Sequence, residues 1–458
     1  MVIKDNHFLV IGTAISGIAV VKFLLSKGAY VNLTDVKQRE QLNKEILELE
    51  KSPNFKGIYG MQPPLSILEK INSIIVSPGV PMDIPIIQQA KEENIEVLSE
   101  IELAYRLSNT PIIAITGTNG KTTTTSLVGE IFKESKREAY VVGNIGIPMI
   151  SKIEEATENG YFIAEVSSFQ LEGTKYFRPH ISAILNITPD HLNRHKTMDN
   201  YIYEKSKIFL NQNYEDITIL NADDPITFSL KEKTKGKVVL FSGSSPLEKG
   251  VFIENNEIVI QNDNEKIKVC PISDIKILGK HNLENALAAV AVSYHAQIPI
   301  SNIKKVLQTF KGVSHRIELV DTIDGIEFIN DSKGTNPEAS IKAIEAMEKP
   351  IVLIAGGMNK GSDFTKFIQS FQGKVRHLIV LGETANIIEK TAKKQGFYNI
   401  TKVEDLKSAI LTSFQKSHPG DVVLLSPACA SWDMFHSFEE RGDLFKTVVK
   451  TLRRSEDG

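Results

Sequence analysis

The chain has 458 residues, 41% of them hydrophobic and 24% charged, which suits folded, core-forming domains, about three by length. A net charge of −3 argues against a nucleic-acid protein, since such domains usually carry a strong basic excess. No stretch is apolar for long enough to span a membrane, the opening MVIKDNHFLVIG is no secretory signal, and two cysteines, Cys270 and Cys429, make no disulfide framework, so a cytoplasmic chain with buried core thiols is expected.

The first block opens with a strand, FLVIG, then a turn, Gly12-Thr13-Ala14-Ile15-Ser16-Gly17, a helix, and a second strand, YVNLTD, ending in Asp35. This is a βαβ start of the dinucleotide-binding type. Ala14 replaces the middle glycine of the G-x-G-x-x-G pattern, so the turn reads as an NAD site, a site for a different nucleotide, or a helix–strand packing turn. Strand INSIIV and the loop Ser77-Pro78-Gly79 follow, and the block fades after a helix ending near Leu107.

Ser-Asn-Thr-Pro at 108–111 opens a second block with strands IIAIT, AYVVG, YFIAEV, ISAILNI, ITILN and VVLF, a mostly parallel α/β pattern. VFIENNEIVIQ reads as an antiparallel hairpin added to it, and a helix with HNLENALAAVAV comes next. A third block starts near Gly312 and alternates GIEFIN, PIVLIAGG, HLIVLG and DVVLLS with helices. Three α/β domains are therefore expected: 1–108, Rossmann-like; 109–311, central and P-loop ATPase-like; and 312–458, again Rossmann-like, with sites in the clefts.

AITGTNGKTTTTS at 114–126 carries the strongest chemical signal. Gly117-Thr118-Asn119-Gly120-Lys121-Thr122 fits the end of a Walker A loop, although Ile115 stands where its first glycine belongs. Glycines let backbone N–H groups converge on oxygen, and the next helix turns its positive end to an anion. Lys121 can reach the β- and γ-phosphates and Thr122 can hold Mg²⁺, whereas a bare glycine turn with a solvent lysine lacks the strand before and helix after. A GTPase is disfavoured, because Asn359-Lys360-Gly361-Ser362-Asp363 is one residue too long for the base-specific loop.

Glu165 closes YFIAEV and His191 follows ISAILNI, both at carboxyl ends of strands on the phosphate-loop edge. Each has a plain alternative, a polar strand cap and a solvated loop histidine. Lys205, one turn after Tyr201 on its helix, reads from the sequence alone as a surface lysine.

Taken together, TGTNGKTT, GNIG at 143–146, EVSSFQLE at 165–172, NITPDHLNRH at 186–195, HNLENALAA at 281–289, HRIE at 315–318, NDSKGTNPEA at 330–339 and SPACASWDMFHSFEERG at 426–442 resemble the Mur ligase family over the whole chain, in order. The last two segments match the members that add D-glutamate; sister ligases and folylpolyglutamate synthases generally carry an Asp-x-x-His-Asn-Pro-like segment where this chain has Asn-Asp-Ser-Lys-Gly-Thr-Asn-Pro.

The resemblance implies an ATP-dependent ligase that joins D-glutamate to UDP-N-acetylmuramoyl-L-alanine through an acyl phosphate, in peptidoglycan precursor synthesis. It implies that Gly117, Thr118, Asn119, Gly120, Lys121, Thr122, Thr123, Asn282, Asn285, Arg316 and Asp331 bind ATP. Thr122 and Glu165 would ligate one Mg²⁺ and His191 a second, helped by Lys205 carrying a CO₂-derived carbamate; Lys121, His191 and Lys205 would be catalytic. Ile15, Ser16, Gly17, Asp35 and Lys37 would lie at the UDP group, with Asn144, Ser167 and Ser168 at the sugar–alanine. Thr335, Lys360, Ser431 and Phe438 would take D-glutamate, Phe438 having core packing as its alternative. It further implies closure of the third domain, hinged near 310–314, and a complete site in each monomer. A sister amide ligase and a nucleotide-binding protein without ligase activity remain open at this point.

Overall fold

The computed structural model describes residues 1–42, 45–277, 279–358 and 361–453. The chain forms two compact units, residues 1–275 with 281–309, and residues 276–280 with 310–458.

The first unit holds two sheets. Strands β1 (His7–Ile11), β2 (Tyr30–Asp35), β3 (Phe55–Tyr59), β4 (Ser73–Val76) and β5 (Glu96–Ser99) form a wholly parallel sheet in the order β3-β2-β1-β4-β5. β1 and β4 are apolar runs buried on both faces, as a doubly wound sheet requires. The order reverses between β1 and β4, and the two loops singled out in the sequence, 12–17 and 77–79, leave the carboxyl ends of these two strands. Adding a Cβ to Gly17 would place it 2.0 Å from the Gly12 carbonyl oxygen, so this turn tolerates only glycine there.

The second sheet comprises β6 (Ile112–Thr116), β7 (Ala139–Gly143), β8 (Tyr161–Glu165), β9 (Ile181–Ile184), β10 (Ile217–Asn221), β11 (Lys237–Ser242), β12 (Gly250–Glu254), β13 (Glu257–Gln261) and β14 (Lys266–Pro271). Its order is β14-β13-β12-β11-β10-β9-β6-β8-β7, parallel from β7 to β12. The hairpin read in VFIENNEIVIQ is present as β12 and β13, and β14 extends it into an antiparallel meander. β6 lies centrally, between β9 and β8, so the phosphate-type loop leaves the middle of the sheet with Glu165 and residues 185–191 on either side.

Glu102 welds the two sheets. Its buried carboxylate accepts the backbone N–H groups of Lys175 (2.9 Å), Tyr176 (3.0 Å) and Phe177 (2.9 Å), and Nε of Arg106 (2.6 Å). Neighbouring Glu100 accepts from the Ile150 N–H at 2.7 Å, and burial pushes its carboxyl up to about 7 against the pull of the Ile150 and Met149 N–H groups. Arg194 reaches across to the Val80 carbonyl at 2.7 Å.

In the second unit, β15 (Glu318–Ile323), β16 (Ile326–Asn330), β17 (Ile351–Gly356), β18 (Val375–Leu381), β19 (Ile400–Lys402) and β20 (Val422–Leu425) form a sheet in the order β15-β16-β20-β17-β18-β19. All pairs are parallel except β15 with β16. No helix among the described residues is long and apolar enough to cross a membrane, and Cys270 and Cys429 are both buried thiols.

Glu102→Gln keeps the shape of the weld but removes the charge that three amides and a guanidinium address. It is expected to destabilise the junction by about 2 kcal/mol, read as faster amide hydrogen exchange at residues 175–177 with little change in β17.

Candidate active site

The loop after β6 is built by its own glycines and by β9. Gly117 and Gly120 take φ of 155° and 83°, and Gly120 caps the helix Lys121–Glu134. Asn186, just past β9, clamps the loop twice: its Oδ1 accepts the Asn119 N–H at 2.8 Å and its Nδ2 donates to the Asn119 carbonyl at 3.2 Å. The Thr118 N–H donates to the Asn186 carbonyl at 2.9 Å, and its hydroxyl meets the Tyr201 hydroxyl at 3.1 Å. Asn285, hydrogen-bonded to Asn282 at 3.0 Å, lies against Gly120, where a Cβ would come within 2.1 Å of its Oδ1.

Two lysines meet the same loop. Lys121 Nζ donates to the carbonyls of Gly117 (2.8 Å) and Thr118 (2.9 Å). Lys205 Nζ also donates to the Gly117 carbonyl, at 2.8 Å, and lies 4.8 Å from the Tyr201 ring centre. The surface reading of Lys205 fails, because the residue is only 1% exposed. Its helix, Met198–Leu210, packs on the sheet through Tyr201, Ile208 and Phe209, and Lys205 shares their buried side. Burial and the neighbouring Lys121 charge hold its ammonium pKa well below 10.5, against weaker attraction from Asp190 and Glu165.

Glu165 ends β8 and is also 1% exposed. Its Oε1 accepts from Asn144 Nδ2 at 2.7 Å, while Oε2 has no hydrogen-bond partner among the described residues. A buried carboxylate oxygen without a donor is costly, and a divalent cation bound by oxygens would satisfy it. His191 is half-exposed and takes a left-handed backbone (φ 54°), uncommon for a non-glycine residue, with its ring 4.9 Å from that of Phe169. Thr122 and Thr123 are buried at the start of the helix after the loop.

Ser167 and Ser168 are engaged locally. Ser167 caps the helix Ser168–Glu172 in a capping box with Gln170, and Ser168 Oγ meets His195 Nε2 at 3.0 Å. The sequence reading passed over His195, Asn186 and Tyr201. They touch the loop or its neighbours through scattered polar contacts, and no spacing pattern marks them.

At the first sheet, Ile15 is 71% exposed, Ser16 is half-buried and Gly17 is buried. Asp35 Oδ2 accepts from Thr13 N–H (2.8 Å) and Oγ1 (2.6 Å), and Oδ1 accepts the N–H of Lys37 at 3.0 Å, so the carboxylate ties the end of β2 to the turn. Burial works against its charge, but these bonds hold it below the usual carboxylate range.

The second unit carries the remaining candidates. Asp331, past β16, is buried, accepts from Ser426 Oγ at 2.7 Å, and is pushed up to about 7 by burial. Arg316 and Thr335 are half-buried and Ser431 is buried. Phe438 begins the helix Phe438–Leu452, half-buried, with its ring 6.2 Å from that of His315, so it is partly open rather than core-packed. Lys360 lies outside the described residues.

Folding lowers the Lys205 pKa, so between its folded value and 10.5 the unfolded chain binds more protons than the folded one and stability rises with pH. Lys205→Met lacks this group. Denaturant unfolding without ligands at about pH 7 and pH 9 is expected to show the variant's advantage over wild type shrinking as pH rises; parallel curves would show a lysine that stays charged.

Family models match along the chain: a MurD-like N-terminal domain of Mur ligases over residues 6–99, the Mur ligase middle domain over 115–293, and the Mur ligase glutamate ligase domain over 315–429. Relatives named UDP-N-acetylmuramoylalanine--D-glutamate ligase are 52% identical in Alkaliphilus oremlandii and 49% identical in Clostridioides difficile, each alignment covering 99% of this chain and 100% of the relative. Among solved structures, the UDP-N-acetylmuramate-alanine ligase MurC of Thermotoga maritima aligns with a TM-score of 0.58 at 20% identity, over 98% of this chain and 99% of that one. MurF of Acinetobacter baumannii aligns at 0.59 and 17% identity, over 91% of each chain. These matches run from residue 6 to residue 429 and over nearly the full length of the relatives, so the chain belongs to the Mur ligase family.

Proposed function

We propose that this protein joins D-glutamate to UDP-N-acetylmuramoyl-L-alanine with ATP, a step in building the peptidoglycan precursor. The observation that carries the reading is end-to-end identity of about half with ligases of that name, in a chain whose phosphate-type loop, Glu165 and buried Lys205 share one sheet edge.

A carboxylate is a poor electrophile at neutral pH. Transfer of the γ-phosphoryl of ATP to the alanine carboxylate gives an acyl phosphate and ADP. The D-glutamate amine then attacks the carbonyl carbon, and the tetrahedral intermediate expels phosphate and loses a proton to give the amide. The protein's task is to position these groups and neutralise charge. On this reading residues 117–123 wrap the ATP phosphates, with Lys121 moving from the loop carbonyls to the β- and γ-oxygens. Asn282 and Asn285 pack against the same loop. Ile15, Ser16, Gly17 and Lys37 face the UDP group, with Asp35 holding their turn closed. Asn144 and the 167–168 corner meet the sugar–alanine, and Thr335, Lys360, Ser431 and Phe438 take D-glutamate.

Mg²⁺, when bound, would offset phosphate charge. Thr122 and Glu165, whose Oε2 lacks a donor, fit one ion, and His191 fits a second. Lys205 fits a carbamate role. An uncharged amine is the form that attacks CO₂, and burial beside Lys121 favours that form. The carbamate turns a cationic side chain into an anion directed at the loop.

With ATP, Mg²⁺ and UDP-N-acetylmuramoyl-L-alanine, D-glutamate is expected to stimulate ADP release while L-glutamate, L-lysine and no amino acid leave it at background. Stimulation by a different amino acid would move the chain to a sister ligase, and none at all would leave only nucleotide binding. Lys121→Ala should lower kcat at least about a hundredfold, and wild-type turnover in that variant would remove the loop from the mechanism. Lys205→Arg should lose activity severely, because a guanidinium does not form the carbamate. An active Lys205→Arg enzyme, or no carbamate signal after loading with carbon-13 bicarbonate, would sink that assignment.

A further inference from the structure

Arg441 is 1% exposed, the largest side chain buried to that degree among the described residues. Its contacts are neutral. Nε donates to Ser332 Oγ at 3.0 Å, Nη2 to the Ser332 carbonyl at 2.8 Å, and both Nη groups to the Cys429 carbonyl at 3.3 Å. Among the described residues no carboxylate lies within ion-pair distance; Asp433 and Asp331 act only from farther off. Burial accordingly drives its pKa down to about 10.

A dry guanidinium with only neutral partners is a poor stabiliser, and an apolar side chain of similar size commonly packs there at no loss. The position of the fork gives it another use. Ser332 begins the segment that carries Thr335, and Cys429 belongs to the segment that carries Ser431. A Cβ on Gly357 would come within 3.3 Å of Arg441 Nη1, and Met358 N–H pairs with the Ala430 carbonyl at 2.9 Å, so the chain just past β17 meets the same point. Phe438 is one turn earlier on Arg441's own helix, and its carbonyl accepts from Ser332 Oγ at 2.8 Å. Three of the residues assigned to the amino acid, Thr335, Ser431 and Phe438, thus sit on segments that converge on one guanidinium.

We propose that Arg441 is a positioning residue for the acidic amino-acid substrate: its fork locks the 332 and 429 segments in register, and its charge, uncancelled by a contacting acid, biases the pocket toward a doubly negative ligand. The proposal rests on the D-glutamate reading above. A planar fork bridging two carbonyls has no equivalent in lysine, which keeps the charge and loses the geometry.

The test is steady-state kinetics of the full-length enzyme with each of the three substrates varied in turn. Arg441→Lys is expected to raise the KM for D-glutamate about tenfold, and Arg441→Met further, with the KM values for ATP and UDP-N-acetylmuramoyl-L-alanine within about twofold of wild type and kcat less affected. Ser332→Ala, which keeps the arginine and removes one acceptor, should show a smaller rise in the same constant and decides the matter should Arg441→Met fail to fold. An unchanged KM for D-glutamate in Arg441→Lys and Ser332→Ala, or an equal rise in all three KM values, would overturn the proposal while wild-type stimulation by D-glutamate stands. Absence of that stimulation in wild type overturns the underlying reading and the proposal with it.

Discussion

Two lysine side chains share one carbonyl oxygen. Lys121 and Lys205 both place Nζ at 2.8 Å from the Gly117 oxygen, and two ammonium charges cannot sit there together without a large repulsion. Burial and the Lys121 charge both push the Lys205 pKa down. The rest of the centre follows from this constraint. Gly117 can present its carbonyl only because its backbone is in a region open to glycine, and Asn186 and Thr118 keep the loop from relaxing away. Lys121 opens the helix that follows the loop, whereas Lys205 is sequestered from solvent.

The same logic of dry polar groups recurs at the weld between the first two sheets. Glu102 is satisfied by backbone amides and Arg106, which makes the junction specific as well as firm: a slip of the segment 175–177 by one residue would strip the carboxylate of its donors. The nucleotide-type turn at 12–17 and the loop at 117–122 are thereby held on one body, a precondition for a substrate with a nucleotide at one end and a reacting carboxylate at the other.

Much of this was legible in the sequence, and the misses have a pattern. The central strands β1, β4, β6, β8, β16, β17 and β20 are apolar runs and were read directly. The strands passed over, β3, β5, β14, β15 and β19, all lie at sheet edges. An edge strand buries less and takes charge or glycine, as in FKGIY and ELVDTI, so its pattern fades into that of a loop. At the candidate site the glycine turn and the lysine of the loop were visible because backbone geometry demands those residue types. Lys205 was not, since helical spacing gives a face but not whether that face meets solvent or sheet. Asn186 and His195 act through polar contacts that leave no periodic trace.

The antiparallel meander β12–β14 has a consequence for how the molecule behaves in a crowd. Without it, β11 would end the central sheet as an open parallel edge, a template for another chain's strand. The meander replaces that edge with β14, whose Lys266 and Lys268 pair with Glu254 and Glu257. Charged side chains along a terminal strand make a poor template for further strand addition. At this end of the nine-stranded sheet, charge therefore stands where an open parallel edge would otherwise invite a strand from a neighbouring molecule.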